Sequence, residues 1–501
     1  MSVRGLENGV ESVVGCLMKF YKAFLIPTLL ACLSLSSCYH QFPSGSGAGG
    51  GGGGNNNGNA FVNVFVTSTP SSTFSFPSLN WQIDNISIID SKGNSISLGS
   101  TAGVVFNDFA RVQTDSTYLG HAILAATNYT SLKVSLGGGL PGYFYNNTNA
   151  TLLGCAVGTV CLIPITVSGF GSASAIIPIT YTPTENTNTG IRINFDLSKA
   201  VTNAGGMTFD FTQNGAITLT PLPVASSQSA GIDFVDNFTG SVFANDATTV
   251  TISSLVSEKR TFTMAANAVF DDPFGICPPP ASFSCIALNQ NLSIDGFIKA
   301  ADGSFVATEV EFLDPAPATN ELEGVIIKPV TNSTFQIVLS NGMTPTGQGE
   351  LVSTPVNVTL SGLETYAVDP KGLVGVSTTP VGFLSAADLV LGQTVMLKGG
   401  TINSSNGNLT NPTRVLLRYS SVAATIQSIG NPAITLSGVD PFFANLLNNT
   451  GQVQTFPNTA YDGVTAFGGL TTNTKISVRA LYLNPTSGAP QALLAAKIRT
   501  H

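Results

Sequence analysis

Residues 191–195, Ile-Arg-Ile-Asn-Phe, alternate apolar and polar side chains, and residues 132–136, Leu-Lys-Val-Ser-Leu, do the same. Successive side chains of a β-strand point to opposite faces of a sheet, so both stretches predict strands with one buried face. Comparable short runs recur throughout the chain after Asn59, separated by turns rich in Gly, Pro, Asn and Asp. Long amphipathic helices are not evident. The sequence therefore predicts an all-β fold.

The chain is too long for a single core, because roughly 440 residues follow Asn59 and one core rarely serves more than about 250–300. A strand pattern at 217–222 ends at Pro223, and the small and polar residues after it have the composition of a linker. We therefore expect an N-terminal β-sandwich over residues 60–223 and a linker over 224–236.

The C-terminal half contains a divergent repeat. A leucine, a polar turn and an alternating strand recur at residues 288–296, 389–399 and 470–480. Each copy is preceded by a short strand that ends at an aspartate and is followed by another strand. Five or six strands suit a small closed barrel of the OB-like type, which leaves no sheet edge exposed. The predicted barrels span residues 237–316, 317–420 and 421–501.

The N-terminal segment has the pattern of a bacterial lipoprotein signal. Two lysines precede an apolar stretch, and residues 35–38, Leu-Ser-Ser-Cys, end it. We expect Cys38 to carry the lipid and residues 1–37 to be removed, with translation beginning at Met18. An ordinary secretory signal with an accidental cysteine is the alternative.

The residues that follow the lipidated cysteine have the composition of a tether. Residues 38–59 are rich in glycine and asparagine and cannot bury apolar area, so a flexible coil is expected. Acyl chains contribute about 0.8 kcal/mol per buried methylene, so two or three of them would hold the protein at a membrane. This predicts an exported protein anchored in the outer membrane, on either its periplasmic or its surface face.

The remaining cysteines fall into two close pairs. Of seven cysteines, Cys16 and Cys32 precede the lipidation site at Cys38. The four that remain are Cys155, Cys161, Cys277 and Cys285. Because an exported protein meets an oxidising environment, we predict the disulfides Cys155–Cys161 and Cys277–Cys285. A metal site is the alternative, but the spacings lack the CxxC knuckles of zinc ligands.

Composition limits the classes of partner. Charged residues make up 10% of the chain, against about 25% in a typical soluble protein, and the formal net charge is −8. Nucleic-acid binding calls for a basic face, so no nucleic-acid partner is expected. The abundance of hydroxyl and amide side chains is common in secreted and cell-surface β-proteins.

Few residues offer catalytic chemistry. The histidines are His40 in the tether, His121, and the C-terminal His501. A Ser-His-Asp triad would depend on His121, and no nucleophile elbow accompanies it, so a surface or strand-end position is predicted. The glycine run Gly137–Gly139 lacks the lysine and helix of a phosphate-binding loop, and a flexible hairpin is expected there.

Acidic and aromatic residues give two weaker candidates. Neighbouring side chains of a strand point to opposite sides, so Asp271 and Asp272 are poorly placed as a catalytic pair. Calcium could bind there or at Asp302, but turn chemistry explains both. Trp81, with nearby Phe74 and Phe76, could form a sugar platform, although a core position is favoured. No catalytic, cofactor-binding or metal-binding residue is predicted.

The two halves of the chain resemble bacterial envelope lipoproteins built from domains of unknown function. The N-terminal match lies in 61–66, in 126–132, and in 194–197 together with 219–223. That family is similar to a transthyretin-type, or prealbumin-like, sandwich. The C-terminal repeats resemble a second family of small β-barrels through 392–395, Gly-Gln-Thr-Val, and 495–498, Ala-Ala-Lys-Ile. Neither family implies catalytic residues.

Together these observations predict a non-catalytic lipoprotein of the cell envelope. Its membrane contact would be the lipid anchor, and its β-modules would serve surface structure, adhesion, or binding of a polysaccharide or envelope protein. The alternative is an extracellular glycan-active enzyme or its accessory subunit, whose carboxylates converge only in the folded chain.

Overall fold

The computed structural model confirms the all-β class. It describes residues 58–71, 73–99, 105–139, 142–163, 174–202, 207–223, 231–254, 259–273, 275–314, 319–343, 345, 354–403, 407–447, 451–489 and 492–501. The predicted lipidation site Cys38, the signal with Cys16 and Cys32, and the tether up to residue 57 lie outside the described residues. Among the residues described, no helix is long and apolar enough to cross a membrane.

The N-terminal region is a β-sandwich that includes the first two stretches singled out above. Its elements are β1 (Asn59–Thr69), β2 (Ser75–Ser78), β3 (Asn80–Asp90), β4 (Ser95–Ser97), β5 (Val105–Asp108), β6 (Thr117–Ala125), β7 (Tyr129–Gly139), β8 (Tyr143–Tyr145), β9 (Val160–Leu162), β10 (Ser174–Tyr181), β11 (Asn188–Asp196), helix α1 (Leu197–Ala200), β12 (Val201–Thr202), β13 (Thr208–Phe209) and β14 (Ile217–Leu222).

Two main sheets share the core of the sandwich. One has the strand order β14-β11-β1-β6, and the other has the order β10-β7-β3-β4 with β5 paired to β3. The alternating stretches 191–195 and 132–136 lie in β11 and β7, and their apolar side chains are buried between the sheets. Small sheets β2-β8-β9 and β12-β13 complete the region.

The first repeat unit is a closed five-stranded barrel. Its strands are β15 (Gly231–Asn245), β16 (Thr249–Ser253), β17 (Arg260–Asp271), β18 (Asn291–Lys299) and β19 (Phe305–Leu313). They close in the order β15-β16-β17-β19-β18, with β17 and β19 parallel. β15 begins at Gly231. The linker predicted over residues 224–236 is therefore wrong from Gly231 onward, where the chain is a strand.

The second and third units share one sheet. Their elements are β20 (Glu321–Thr331), β21 (Thr334–Met343), β22 (Pro355–Thr359), β23 (Thr365–Val368), β24 (Thr394–Lys398), β25 (Thr401–Ile402), β26 (Leu409–Thr410), β27 (Arg414–Gly430), β28 (Ala433–Ser437), helix α2 (Pro441–Leu447), β29 (Gln452–Gln454), β30 (Ala460–Asp462), β31 (Lys475–Tyr482) and β32 (Leu493–Thr500). Short 3₁₀ turns lie at Phe283–Cys285, Ala386–Asp388, Phe467–Gly469 and Pro485–Ser487.

The strand pairing of the first barrel recurs in both later units. In the second unit, β20 pairs with β21 and β24, β21 pairs with β22, and β23 runs parallel to β27. In the third unit, β27 pairs with β28 and β31, and β30 runs parallel to β32. The 17-residue strand β27 is therefore the last strand of the second unit and the first of the third. The boundary placed between residues 420 and 421 lies within this continuous strand.

A glycine recurs in the first strand of two units. A Cβ on Gly240 in β15 would lie 2.4 Å from the carbonyl oxygen of Ser253, and a Cβ on Gly324 in β20 would lie 2.4 Å from that of Val338. Neither distance leaves room for a side chain, so glycine is what lets the first and second strands approach closely at these positions.

Candidate functional site: a buried charge cluster and the cavity beside it

Equivalent strands of the first and third units present opposite charges. β19 carries Glu309 and Glu311 on either side of Val310, and β32 carries Lys497 and Arg499 on either side of Ile498. Val310 and Ile498 are fully buried in their own units. Because side chains alternate along a strand, the charged residues point outward, toward the neighbouring units.

The next strand of each unit continues this charge inversion. Asp295 on β18 lies directly opposite Glu309, and Arg479 on β31 lies directly opposite Lys497. The first barrel thus presents a carboxylate at three positions where the third unit presents a cation.

An aspartate ends the preceding parallel strand in all three units. Asp271 is in register with Glu311, and Asp462 is in register with Arg499. In the second unit, Asp369 follows β23 and forms an ion pair with Arg418 of β27. These are the aspartates that mark the repeat in the sequence, and each of them forms an ion pair with an arginine.

Ion pairs join the units across their boundaries. Arg479 reaches Asp295 at 2.9 Å, which links the third unit to the first. Lys371, from the loop after β23, lies 2.6 Å from Glu311 and 3.2 Å from Glu309, which links the second unit to the first.

Two further contacts complete the links to the first barrel. Arg418 Nη2 lies 2.5 Å from Glu311. Lys497 lies 2.7 Å from Asp236 of β15, and the same carboxylate oxygen accepts a hydrogen bond from the backbone N–H of Ser116 in the sandwich.

Arg499 fixes the sandwich to the third unit. Its Nε donates to Asp462 at 2.7 Å, and its Nη1 donates to the carbonyl oxygens of Val112, Gln113 and Asp115 at 3.1, 3.3 and 3.0 Å. The side chain is 2% exposed. From the sandwich, Arg192 of β11 lies 2.5 Å from Asp233 and 3.1 Å from Asp462.

We call this set of residues the charge cluster. In the described part of the chain its cations are Arg111, Arg192, Lys371, Arg418, Arg479, Lys497 and Arg499. Its carboxylates are Asp115, Asp233, Asp236, Asp271, Asp295, Glu309, Glu311, Glu323, Asp369 and Asp462. Ten carboxylates thus face seven cations.

Burial and the excess of carboxylates over cations raise the pKa values of several carboxyl groups in the cluster. Burial, together with neighbouring carboxylates, raises the pKa of Asp236 to about 6, of Asp271 to about 8 and of Glu309 to about 7. Burial also acts on Glu311, but Arg418 and Lys371 outweigh it and lower its pKa to about 2. Protons bound to these three carboxyls therefore offset part of the excess negative charge of the cluster.

Asp271, Glu309 and Glu311 are the described residues best placed to hold a metal ion. Their carboxylate oxygens lie within 4.8 Å of one another. Lys371 contacts Glu309 and Glu311, and Arg418 lies 3.6 Å from Asp271. These cationic side chains already supply the positive charge that a metal ion would bring to the three carboxylates. We therefore describe the group as an ion-pair network and not as a metal site.

A cavity of about 390 Å³ opens beside the cluster, between the first barrel and the two later units. Its charged walls are Asp236, Asp295, Glu309, Lys371, Arg479 and Lys497. Its other walls are Phe234, Asn267, Val269, Gly296, Thr308, Leu373, Tyr419, Pro457, Asn458, Thr459, Ala460 and Ala496. A smaller cavity of about 100 Å³ lies where the sandwich meets the second and third units, and Lys371, Tyr419 and Arg479 line both.

Both predicted cysteine pairs are joined as disulfides, and neither disulfide belongs to the charge cluster. The Cys155–Cys161 bridge has its Cα atoms 5.8 Å apart and lies in the sandwich. The Cys277–Cys285 bridge, with Cα atoms 5.7 Å apart, connects the loop between β17 and β18 and packs on the barrel core.

The aromatic candidates lie in the sandwich core, as favoured from the sequence. Trp81 is 1% exposed, and Phe74 and Phe76 are buried in the same core. The acidic alternative at Asp302 caps its own turn, since its Oδ1 accepts from the N–H and hydroxyl of Ser304.

His121 and the glycine run Gly137–Gly139 both lie in strands of the sandwich, where packing contacts surround them. His121 lies in β6, stacks on Phe61 at 4.2 Å and contacts Arg260. The hairpin expected at Gly137–Gly139 is wrong: these glycines end strand β7, paired with β3. A Cβ on Gly137 would lie 2.5 Å from the side chains of Gln82 and Asp84, so close strand packing explains this glycine.

Apart from the aspartates that end the repeated strands, the residues of the charge cluster were not identified from the sequence, although a signal for them was present. The stretches Glu309-Val310-Glu311 and Lys497-Ile498-Arg499 occupy corresponding places in two of the repeats. Alignment of the repeats with attention to charge would have shown the inversion, and the sparse use of charge elsewhere would have emphasised it.

Comparisons with known proteins do not assign the chain. No family model and no curated protein matches it. Among solved structures, MbnP from Methylosinus trichosporium is similar over 28% of this chain and 76% of its own, at 10% identity and a TM-score of 0.18.

Two other solved structures are similar over a larger share of this chain. Drosophila Unr CSD456 is similar over 53% of this chain and 97% of its own, at 9% identity and a TM-score of 0.13. A multidomain protein with nucleic acid binding domains from Streptococcus pneumoniae is similar over 53% and 72%, at 7% identity and a TM-score of 0.11. Scores this low carry no argument about function, and the resemblance to envelope-lipoprotein families stays a prediction.

Proposed function

We propose that the protein is a non-catalytic lipoprotein of the cell envelope whose β-modules are joined into one body that binds a polysaccharide or a protein partner. The observation that carries this proposal is the charge cluster, which ties the sandwich and all three repeat units together. Removing one member of a buried ion pair costs about 3–5 kcal/mol, so the units are held in a defined arrangement. β-Modules in a fixed arrangement present a constant surface that a partner can bind.

The chemistry of the cluster favours binding over catalysis. General acid–base catalysis needs a carboxyl that is free to exchange a proton with a substrate. Asp295 and Glu309 are instead engaged by Arg479 and Lys371. The anchor at Cys38 rests on the signal pattern at residues 35–38.

The anchor is tested by expressing the full chain in a two-membrane bacterium and determining the mature N-terminus by mass spectrometry. We expect an acylated cysteine at position 38 in the outer-membrane fraction. The matched variant Cys38→Ser should lose acylation and leave that fraction. An unacylated N-terminus elsewhere would contradict the localisation.

The binding role is tested with the purified protein on a glycan array and in pull-down from envelope extracts. Retention of a polysaccharide or of a single envelope protein supports the proposal. If neither is retained while the chain is folded, a binding role is lost and a purely structural role remains.

A glycan-active enzyme is the second candidate, and one observation favours it. Asp295 and Glu309 face each other on β18 and β19, and both line the cavity of about 390 Å³. Burial raises the pKa of Glu309 to about 7. Burial opposes ionisation of Asp295, but Arg479 and Lys371 outweigh it and lower its pKa.

One protonated and one ionised carboxyl are what glycoside hydrolysis requires. Release of reducing sugar from envelope glycans, abolished by Glu309→Gln, would establish the enzyme. Equal product with the native and Glu309→Gln chains would exclude that role for Glu309.

A further inference from the structure

The cavity beside the charge cluster has the size and position of a ligand site. Its volume of about 390 Å³ falls within the range of roughly 300–1,000 Å³ that small-molecule sites occupy. Its walls come from β17, β18 and β19 of the first barrel, from the loop after β23, and from the third unit. Junctions between domains are a common location for such sites.

Acidic and basic side chains line this cavity in pairs. Asp295 is paired with Arg479 at 2.9 Å, Asp236 with Lys497 at 2.7 Å, and Glu309 with Lys371 at 3.2 Å. Each of these three cations therefore has a carboxyl group beside it on the cavity wall. A strongly charged ligand would find a repelling group of its own sign beside every attracting one.

Paired charges suit a ligand that both donates and accepts hydrogen bonds. Carboxylates accept, whereas ammonium and guanidinium groups donate, and here the two kinds alternate at fixed positions. A hydroxyl group does both, so adjacent hydroxyls can bridge a carboxylate and the cation beside it. Side-chain amides and hydroxyls of Asn267, Asn458 and Thr308 add neutral polar groups to the lining.

Part of the lining is apolar. Val269, Leu373, Pro457, Ala460 and Ala496 contribute carbon surface beside the charged groups. A sugar ring has carbon–hydrogen faces as well as a rim of hydroxyls, so it can use both kinds of wall. A nucleotide or an inorganic ion would use only some of these groups.

We propose that this cavity binds an uncharged segment of an oligosaccharide. The inference rests on the proposed binding function and names both its location and its ligand class. Hydroxyls of the sugar contact the three ion pairs, and the ring faces lie on the apolar residues. Because all three repeat units, through β18, Lys371 and β32, line the cavity, the site exists only while the charge cluster holds the units together.

The test uses titration calorimetry of the full folded protein with maltotriose, cellotriose and N-acetylated chitotriose as neutral probes. Trigalacturonic acid and the deacetylated chitosan trisaccharide serve as anionic and cationic probes. We expect at least one neutral trisaccharide to bind, with both charged ones weaker by about tenfold or more, which is about 1.4 kcal/mol.

Two variants locate the binding. Asn267→Trp places a large ring at the exposed rim of the cavity, and Ala496→Phe fills its interior, so each should weaken binding by about tenfold or more. Asn147→Trp, an equally large change at an exposed site of the sandwich, is the matched control and should bind as the native chain does. Circular dichroism and thermal melting of each variant verify the fold.

The outcomes separate the site from the function. If a neutral trisaccharide binds and neither cavity variant weakens it, the site is wrong although the protein still binds glycans. If no neutral trisaccharide binds but a protein partner is captured from envelope extracts, the ligand class is wrong and the binding function stands. If nothing binds, both proposals fall. Stronger binding of a charged trisaccharide would also overturn the inference.

Discussion

The apolar cores and the charge cluster hold the molecule together in different ways. In the sandwich core, Trp81 and Leu132 are buried among other apolar side chains, and their contribution scales with the area removed from water. In the cluster, Arg499 and Asp462 are equally buried, yet each is stabilised by a few directed contacts. A core tolerates many apolar sequences, whereas a buried ion pair tolerates only its own geometry. The cores thus make the modules stable, and the cluster determines how the modules dock.

The largest expected effect comes from removing the most connected cation of the cluster. In Arg499→Met, Asp462 loses one cationic partner, and three carbonyl oxygens of the sandwich each lose one hydrogen-bond donor. Uncompensated buried groups of this kind cost about 3–5 kcal/mol. We expect calorimetry to show one unfolding transition for the native chain, and separate transitions of the sandwich and the third unit for Arg499→Met.

Lys328→Met is the matched control for this variant. Lys328 is exposed on β20, outside the cluster, so the change should cost less than about 0.5 kcal/mol. A wild-type melting profile for Arg499→Met would contradict the view that the cluster determines docking.

The difference between cores and cluster also explains what the sequence could predict. Period-two alternation at 132–136 and 191–195 indicated buried strand faces, because burial depends on the pattern of neighbouring residues alone. The disulfides were predictable from short spacings, and the repeat from recurring turns. Even the buried position of Trp81 followed from its type.

The cluster could not be predicted in the same way, because its partners are distant in the sequence. Arg499 donates to Val112, 387 positions away, and Lys497 pairs with Asp236, 261 positions away. These contacts depend on how whole units dock. The continuity of β27 across two units was also missed, because a strand shared by two units has the same alternation as two separate strands.

A smaller effect is expected from removing the disulfide Cys277–Cys285, which lies within the first barrel. Replacing Cys277 and Cys285 together by serine opens the loop between β17 and β18, and loops this short contribute about 2–3 kcal/mol. Cys277 packs on the core of the first barrel, so this barrel should be destabilised while the ion pairs between units persist. Urea unfolding followed by circular dichroism should show a lower midpoint. A docking defect equal to that of Arg499→Met would erase the distinction between module and junction.

The pH dependence of stability distinguishes the cluster from the cores, which do not titrate. The pKa values of Asp236, Asp271 and Glu309 are raised to about 6, 8 and 7 in the folded chain. Their contribution is therefore complete below about pH 4 and is lost as the pH rises toward 8, by up to about 1.4 kcal/mol per pH unit for each group. Glu311 acts in the opposite direction, because its pKa is lowered to about 2 and its contribution is lost in acid.

Stability should consequently be greatest near about pH 4–5 and decline toward pH 8, as measured by urea titration in a series of buffers. Glu309→Gln removes one of the titrating groups and should flatten the decline between pH 5 and 7. A stability that rises steadily up to pH 8 would show that these carboxyls do not hold protons in the folded protein.

The smallest effect is expected from a cation at the edge of the same cluster. Arg111 lies 3.1 Å from Asp115, but its side chain is 49% exposed, and Arg479 lies 3.6 Å from the same carboxylate. Water and Arg479 would compensate Asp115 after Arg111→Met, so the loss should be below about 1 kcal/mol in urea unfolding. Arg499 is buried and donates to Asp462 and to three carbonyl oxygens, whereas Arg111 is half exposed, so this pair of variants compares a buried, fully engaged cation with an exposed one. If both cost the same, ion pairing and not burial would give the cluster its strength.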